Sequence, residues 1–402
     1  MRVLITNLIL ANHTGTELLV EQTAWWLRKA GHTPVIYAPY VGEVGMRMRR
    51  RGHLVFDRIS HIGIPPDVIH GHHTGPTMTA LAAFPDVPAM FVMHSAAEFD
   101  RPPCHPNIRR YFSVSSFLRE SWSTPEVPIE RFEILGNPVD TDLLSLRPAL
   151  PPRPATALIV AKLPTQLEAI RAACANRGLK LKEVGWGVDR VSDDLPALFQ
   201  RADIVFASGR SAFEAMTSGC AVVLTEGAGT FGMVTAETID QIIDLNGSSR
   251  LMSRRPTTQT LTDAIDSYDP RNAALVTQRV RDVNSLDVHG ERLLAIYEDL
   301  RTSGPVKGND GMALANFIEA YVPGFGFDQW CALIRHLPAR PIMPLSRPAL
   351  LNPAAGHDDD LGNGFNDIET LRKHLNARMN SRSWRITSPL RGLKRMITSL
   401  RA

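Results

Sequence analysis

The sequence lacks most features that would announce a function at once. Its 402 residues include four cysteines, Cys104, Cys174, Cys220 and Cys331. They lie far apart and none form a Cys-x-x-Cys pair. That spacing excludes a disulfide framework and a thiolate zinc site, and fits a reducing compartment. Aromatic residues make up 7% of the chain, too few to suggest stacking platforms for nucleic acid. No apolar run reaches the roughly 18 residues that cross a bilayer. Residues 3–11 are apolar enough to imitate a signal segment. However, Thr6 and Asn7 interrupt them, no small-residue cleavage site follows, and a helical pattern does, so a buried strand is expected. Neither sign of charge dominates, with 44 Lys+Arg against 41 Asp+Glu.

A local absence is more telling. Residues 371–402 hold nine Lys or Arg and no Asp or Glu, leaving 35 basic against 41 acidic residues elsewhere. A mildly acidic body therefore carries a basic tail, which points to an anionic partner. The rest of the composition is that of a globular protein of two or three domains.

Residues 1–150 alternate short apolar runs with helical patterns. Strands are expected at 2–10, 34–38, 54–56, 67–70, 89–93, 111–114 and 132–135. Helices are expected at 15–30, 44–51, 74–84 and 115–121. Apolar strands alternating with helices argue for a parallel sheet covered on both faces. Residues 146–155, with Pro148, Pro151, Pro152 and Pro154, read as a linker. The alternation then restarts, with strands at 157–160, 179–184, 203–207 and 221–224. Helices are expected at 165–177, 195–201, 211–218 and 237–245, then around 272–283 and 288–301. The expected organisation is an N-terminal domain over 1–150 and a second α/β domain over 151–285. A helix at 286–302 returns to the first domain, and a proline-rich extension covers 303–402. Within that extension, 339–366 is expected to be poorly ordered and 368–379 helical. Paired α/β units bind ligands between the carboxyl ends of their strands.

Three segments are candidates for chemistry. The first is the turn from Asn12 to Glu17. Gly15 and Thr16 open a helix there, and a glycine beside unpaired helix N–H groups can admit a phosphate. The second is the histidine group His70, His72, His73 and His94. His72 and His73 point to opposite sides of an extended chain, and no carboxylate lies at ligand spacing, so a metal is not expected. His94 ends an apolar strand, where an imidazole can meet a sugar hydroxyl or a phosphate. The third is 203–223, read as a strand, a Ser208-Gly209 turn, a short helix carrying Glu214, and another strand. A carboxylate on a short helix at a strand mouth can take both hydroxyls of a ribose, and the Ser211 end of that helix can meet phosphate.

These segments together resemble the glycosyltransferases of GT-B fold, particularly the group 1 retaining family of bacterial polysaccharide synthesis. Gly15-Thr16-Glu17 is similar to that family's Gly-Gly-Thr-Glu loop. The run from Asp67 to His72 is similar to its Asp-Val-Val-His-x-His strand, and His94 to its strand-end histidine. Val114-Ser115-Ser116 resembles its Val-Ser strand end, and Asn137-Pro138-Val139-Asp140 its Asn-Gly-Val-Asp signature. Residues 195–208 resemble its approach to the donor site. Glu214-Ala215-Met216 with Gly219 resembles its Glu-Ala-Met-x-x-Gly. The chain departs from the pattern where a first glutamate is common, at Phe206, and where a phosphate-binding lysine is common, at Leu167. Lys162 stands in the place of a phosphate-binding arginine. A lysine there keeps the attraction but loses the bidentate fork.

The resemblance implies two Rossmann-like domains facing across a cleft, and transfer of a sugar from a nucleotide diphosphate sugar to a lipid-linked or saccharide acceptor. It implies Glu214 and His94 as catalytic-site residues. It implies Gly15, Thr16, Lys162, Ser208, Gly209, Arg210, Ser211 and Glu214 around the donor, with Glu214 on ribose and Lys162 with Arg210 on diphosphate. The segment 226–232, read as a loop, would add N–H groups of Gly227 and Gly229. Neither metal nor cofactor is implied, and the anomeric configuration would be retained. Residues 380–391 resemble a Ser-Trp-Arg-x-Thr-x-Pro-Leu-Arg tail found on many proteins of capsule, O-antigen and exopolysaccharide synthesis. Trp384, Ile386, Leu390, Leu393 and Met396 among arginines suit an anionic membrane surface. The expected location is cytoplasmic, peripheral at the inner face of the membrane, with no nucleic acid bound. Two other readings stand beside this one. One is a non-catalytic GT-B module that binds or regulates partners in polysaccharide assembly. The other is a nucleotide-sugar epimerase, which needs further acidic groups in the cleft.

Overall fold

The computed structural model describes residues 1–11, 15–190, 192, 194–227, 229–304 and 310–324. The expectations for Asn12–Thr14, for 339–379 and for the tail at 380–402 lie outside the described residues.

The first sheet has seven strands: β1 (Arg2–Thr6), β3 (Thr33–Tyr37), β5 (Leu54–Phe56), β6 (Val68–His72), β7 (Ala89–Met93), β8 (Ile108–Ser113) and β9 (Phe132–Ile134). A separate pair, β2 (Ile9–Leu10) with β4 (Tyr40–Val41), flanks it. The order of the seven is β5-β3-β1-β6-β7-β8-β9, and every pairing is parallel. Apolar residues recur without polar alternation because helices cover both faces. β1 and β7 are buried almost throughout. The covering helices include α1 (Gly15–Lys29), α2 (Glu43–Arg50), α3 (Thr74–Ala83) and α4 (Ser116–Ser121).

The second sheet has the order β11-β10-β12-β13-β14. Its strands are β10 (Thr156–Val160), β11 (Lys180–Val184), β12 (Ile204–Ala207), β13 (Ala221–Glu226) and β14 (Gly229–Met233). The first four are parallel. Helices α5 (Leu167–Asn176), α6 (Leu195–Phe199), α7 (Gly209–Thr217), α8 (Ile239–Asp244), α9 (Thr258–Asp266) and α10 (Pro270–Asn284) surround it. β14 corrects the reading of 226–232 as a loop. It runs antiparallel to β13, with Glu226 opposite Gly229. A Cβ at Gly229 would lie 2.3 Å from the Met252 carbonyl oxygen, so glycine is required by packing.

The chain crosses between the lobes twice, and the two crossings run together. Val139 N–H donates to the Asn284 carbonyl, and Leu286 N–H to the Val139 carbonyl, each at 2.8 Å. Val139 and Leu144 already belong to the second core. The proline-rich segment is pinned to the second lobe. Arg147 donates to Asp203 at 2.8 Å, and the Tyr268 hydroxyl to the Pro151 carbonyl at 2.8 Å.

Helix α11 (Leu286–Thr302) returns to the first lobe and seats Leu293, Ile296, Tyr297 and Leu300 in its core. At about 1.5–3 kcal/mol for each large apolar side chain fully buried, this anchors the helix firmly. Gly290 allows the approach, because a Cβ there would stand 2.3 Å from the Trp26 ring. Trp26 Nε1 donates to Asp287 at 2.7 Å. A further helix, α12 (Asp310–Gly324), comes next, with Leu314 and Phe317 against the first core.

Candidate functional site

In each sheet the strand order reverses once, and ligands of open α/β sheets bind outside the carboxyl ends of strands at such points. The first sheet switches between β1 and β6, the second between β10 and β12. Several of the residues singled out from sequence lie by these two places, whereas Gly227 and Gly229 lie at the β13–β14 edge.

At the second switch point, Lys162 follows β10 and Ser208 follows β12. Gly209 opens α7 at φ +53, a left-handed conformation that glycine adopts without strain. A Cβ added there would come 3.5 Å from Lys162 Nζ, which puts the ammonium over the start of α7. The N–H of Gly209 already donates to the Gly247 carbonyl at 3.0 Å. Lys162 pairs with Glu226 at 3.3 Å, and the Ser208 hydroxyl donates to the same carboxylate. Glu226 ends β13. Sequence reasoning missed it, because the glycine-rich residues after it read as a loop. Gly227, at φ +57, sits against Leu163. The amide of Thr230, next to Gly229, is spent on the Arg254 carbonyl at 2.8 Å. Residues 229–233 of the segment are therefore the edge strand of the sheet.

One turn along α7, Arg210 Nε donates to Glu214 Oε1 at 2.8 Å. The same guanidinium reaches the first lobe, donating through Nη2 to Gln22 Oε1 at 2.7 Å and through Nη1 to the Gly15 carbonyl at 3.5 Å. Arg210, Glu214 and Gly15 are thus brought together across the two lobes. Gln22, in the second turn of α1, is a partner that sequence reasoning missed. The Cβ position of Gly15 meets nothing within 4 Å, so space is open beside it, with Thr16 half-exposed next to it. Ser211 is half-buried in the first turn of α7. Further contacts between the lobes are Ser116 donating to Asp244 and the Arg250 guanidinium stacked 3.9 Å from the Phe117 ring.

At the first switch point, Thr6 at the end of β1 holds the end of β6. Its hydroxyl donates to the His72 carbonyl at 3.1 Å and accepts from the His72 N–H at 3.0 Å. His70 and His72, two apart on β6, share a face. Their ring centroids are 4.4 Å apart. His70 Nδ1 meets the Tyr297 hydroxyl of α11 at 2.6 Å. His72 Nδ1 meets His94 Nε2 at 2.8 Å. His73 turns the other way, as expected. At φ +61 it accepts the Leu8 N–H on Nδ1 at 3.0 Å.

Burial keeps this group neutral. It pushes His70 down to about 3 and His73 to about 4. Burial, reinforced by neighbouring imidazoles, holds His72 and His94 well below the usual histidine range. Asp100, nearby, is pushed up to about 7 by burial, against the pull of the Ser95 hydroxyl at 2.6 Å. No hydrogen bond or ion pair links His94 to Lys162, Arg210 or Glu214 among the described residues. Among those residues no group of three or more His, Cys, Asp or Glu is arranged to hold a metal ion. No described helix is long and apolar enough to cross a membrane.

No family model matches the sequence, and no curated protein matches it either. Solved structures do match in three dimensions. A glycosyltransferase of Rickettsia africae ESF-5 superposes with a TM-score of 0.53 at 14% identity, over 74% of this chain and 98% of its own. Anabaena Alr3699/HepE, in complex with UDP and glucose, gives 0.51 at 13% identity, over 74% of this chain and 99% of its own. The fold is the two-lobed GT-B fold of glycosyltransferases, built from two parallel-sheet α/β domains.

Proposed function

We propose that this chain is a glycosyltransferase. It moves a sugar from a nucleotide diphosphate sugar to a lipid-linked or saccharide acceptor in cell-surface polysaccharide synthesis. One observation carries the reading: at the switch point of the second lobe, Lys162, Ser208, Arg210 and Glu214 assemble around the first turns of α7, and Arg210 reaches Gly15 and Gln22 of the first lobe. Such a site has two cations for a diphosphate and a carboxylate for a ribose. Transfer breaks the bond between the anomeric carbon and the phosphate oxygen, and the departing charge is met by Lys162 and Arg210. His94, from the first lobe, meets the sugar. The chemistry asks for no metal, and retention of anomeric configuration is the outcome that the family resemblance implies.

Thermal unfolding with UDP, GDP and their sugars is the first test. A ligand that binds only the folded state at a hundred times its Kd adds about 2.7 kcal/mol. Selective stabilisation by one nucleotide, then release of that nucleoside diphosphate in the presence of an acceptor and a chelator, is the expected result. Well-folded protein that no nucleotide stabilises would overturn the reading. The basic tail belongs to the same proposal. Deleting residues 380–402 is expected to release the protein from anionic vesicles without changing donor hydrolysis, and equal binding by the shortened chain would refute it.

A further inference from the structure

We propose that His72 is a positioning residue that fixes the tautomer of His94, so that His94 presents an Nδ1–H donor to the cleft. The identity of the ligand that this donor meets rests on the nucleotide-sugar reading above, whereas the tautomer does not.

The argument starts from two nitrogens. His72 is 1% exposed, and its Nε2 is buried without a hydrogen-bond partner. Its Nδ1 faces His94 Nε2 at 2.8 Å. Both rings are held neutral, so one proton lies between them and each ring carries a single N–H. If His72 were protonated on Nε2, a buried N–H would be left unpaired. If it is protonated on Nδ1, the unpaired atom is a bare acceptor nitrogen. Orphaned buried N–H groups are the rarer of the two in folded proteins. His72 therefore donates from Nδ1, and His94 accepts on Nε2.

The consequence passes to His94. A neutral imidazole that accepts on Nε2 carries its proton on Nδ1. His94 follows β7 and is only half-buried, and its Nδ1 has no partner among the described residues. It is thus free to donate to an oxygen in the cleft, and cannot take a proton there. A histidine that sequence inspection assigns only to a sugar hydroxyl or a phosphate becomes a donor because of the residue behind it.

The rest of the stack is built to hold His72 in place. His70 packs 4.4 Å beneath it and is itself fixed by Tyr297 of the returning helix at 2.6 Å. The His72 backbone is tied to Thr6 on both its N–H and its carbonyl. The orientation of the ring is thus set by packing, and its proton by the partner it lacks on Nε2.

The test reads ring nitrogens directly. The full chain is labelled with ¹⁵N in its histidine rings, and long-range proton–nitrogen correlations report each tautomer. Wild-type His94 is expected to be protonated on Nδ1. His72→Phe removes the donor, and His94 is expected to change to the Nε2–H form that free imidazole favours. His72→Gln, which keeps an N–H donor, is expected to preserve the wild-type form. A wild-type His94 protonated on Nε2, or an unchanged His94 in His72→Phe, would overturn the proposal. Should His72→Phe not fold, the wild-type spectrum decides alone. With a donor that turns over, His72→Phe is expected to lower kcat tenfold or more at an unchanged nucleotide Kd, and His72→Gln to recover most of it. Equal losses in both variants would reduce His72 to a packing residue. Failure of wild-type protein to bind any nucleotide would sink the functional reading and leave the tautomer result intact.

Discussion

At the first switch point the polar groups are buried imidazoles held neutral, while at the second they are cations and carboxylates joined in ion pairs. His70, His72 and His73 are 1%, 1% and 6% exposed, and burial removes their charge rather than pairing it. Lys162 and Glu226, and Arg210 and Glu214, instead stand in ion pairs with one another. The difference teaches how one cleft can orient a ligand that is charged at one end and hydroxylated at the other. On the proposed reading, Lys162 and Arg210 of the second lobe meet the charged end. The first lobe offers short-range donors that discriminate only on contact. On the proposed reading these ends are the diphosphate and the sugar.

The contrast is sharpest where the second lobe does bury charge. Arg147 and Asp203 are each 8% exposed at the side chain, at the amino end of β12 and far from the mouth. Burial alone would raise the Asp203 carboxyl. The N–H groups of Ala155 and Thr156 with the Arg147 guanidinium outweigh it and hold the carboxyl below its usual value. Asp203→Ala leaves Arg147 buried and unpaired, which is expected to cost about 3–5 kcal/mol in urea unfolding. A cost below about 1 kcal/mol would mean that the second lobe tolerates buried charge anywhere, and the distinction between its mouth and its base would fall.

The neutral histidines make the opposite kind of test. His70, His72, His73 and His94, with His289 of α11, have folded values below the ordinary 6.5. The unfolded chain therefore takes up protons below about pH 6.5 that the folded chain refuses, and stability falls on acidification. Asp100 works the other way. Its folded value is about 7 against an ordinary 3.8, so the folded form holds a proton through this window and gains as pH falls. Five imidazoles outweigh one carboxyl, and the net loss between pH 7 and pH 5.5 is expected to be about 3–5 kcal/mol. Stability that is flat or rises over that range would show these histidines to be charged in the folded state.

The two lobes also differ in how far they can be read from sequence. The parallel alternation is legible because strands such as the buried Ala89–Met93 and the edge strand Leu54–Phe56 are apolar runs bounded by turn residues, and both have the bounds expected of them. The antiparallel strand Gly229–Met233 is not, because Gly229 is required by the Met252 carbonyl and Gly232 by its φ of +108, which no local pattern reveals. Helix Thr258–Asp266 escapes as well. Its capping box uses Thr260 where a glutamate is usual, and its threonines weaken the helical signal. In the site, motif resemblance points to Lys162, Arg210 and Glu214. Their pairing is half-legible, since Arg210 and Glu214 are four apart on a helix. Gln22, Tyr297 and Glu226 are beyond reach, because they meet their partners only through long-range contacts set by the fold.

Glu214 tests the charged mouth directly. Its carboxylate is held by Arg210, so a ribose must share or displace that contact. On the proposed reading, Glu214→Ala is expected to weaken nucleotide diphosphate binding about tenfold to a hundredfold, the range for a hydrogen bond to a charged group. Calorimetric titration checks it, and unchanged binding would remove Glu214 from the ligand's surroundings.

The smallest expected effect asks most about the comparison. Glu226 lies 3.3 Å from Lys162 and takes the Ser208 hydroxyl, so it occupies the place beside the cation that a phosphate would want. Glu226→Gln keeps the shape and an oxygen for Ser208 while removing the charge. The side chains of Lys162 and Glu226 are 45% and 26% exposed, so water screens the interaction and its worth is that of a surface pair, about 0.2–1 kcal/mol. Nucleoside diphosphate binding is therefore expected to tighten about two- to fivefold at low salt. The gain should vanish in molar salt, where the Debye length is about 3 Å. Weaker binding by Glu226→Gln would mean that the carboxylate itself contacts the ligand. The second lobe would then recognise hydroxyls as well as phosphate, and the division of labour between the two switch points would have to be drawn within that lobe instead of between the two.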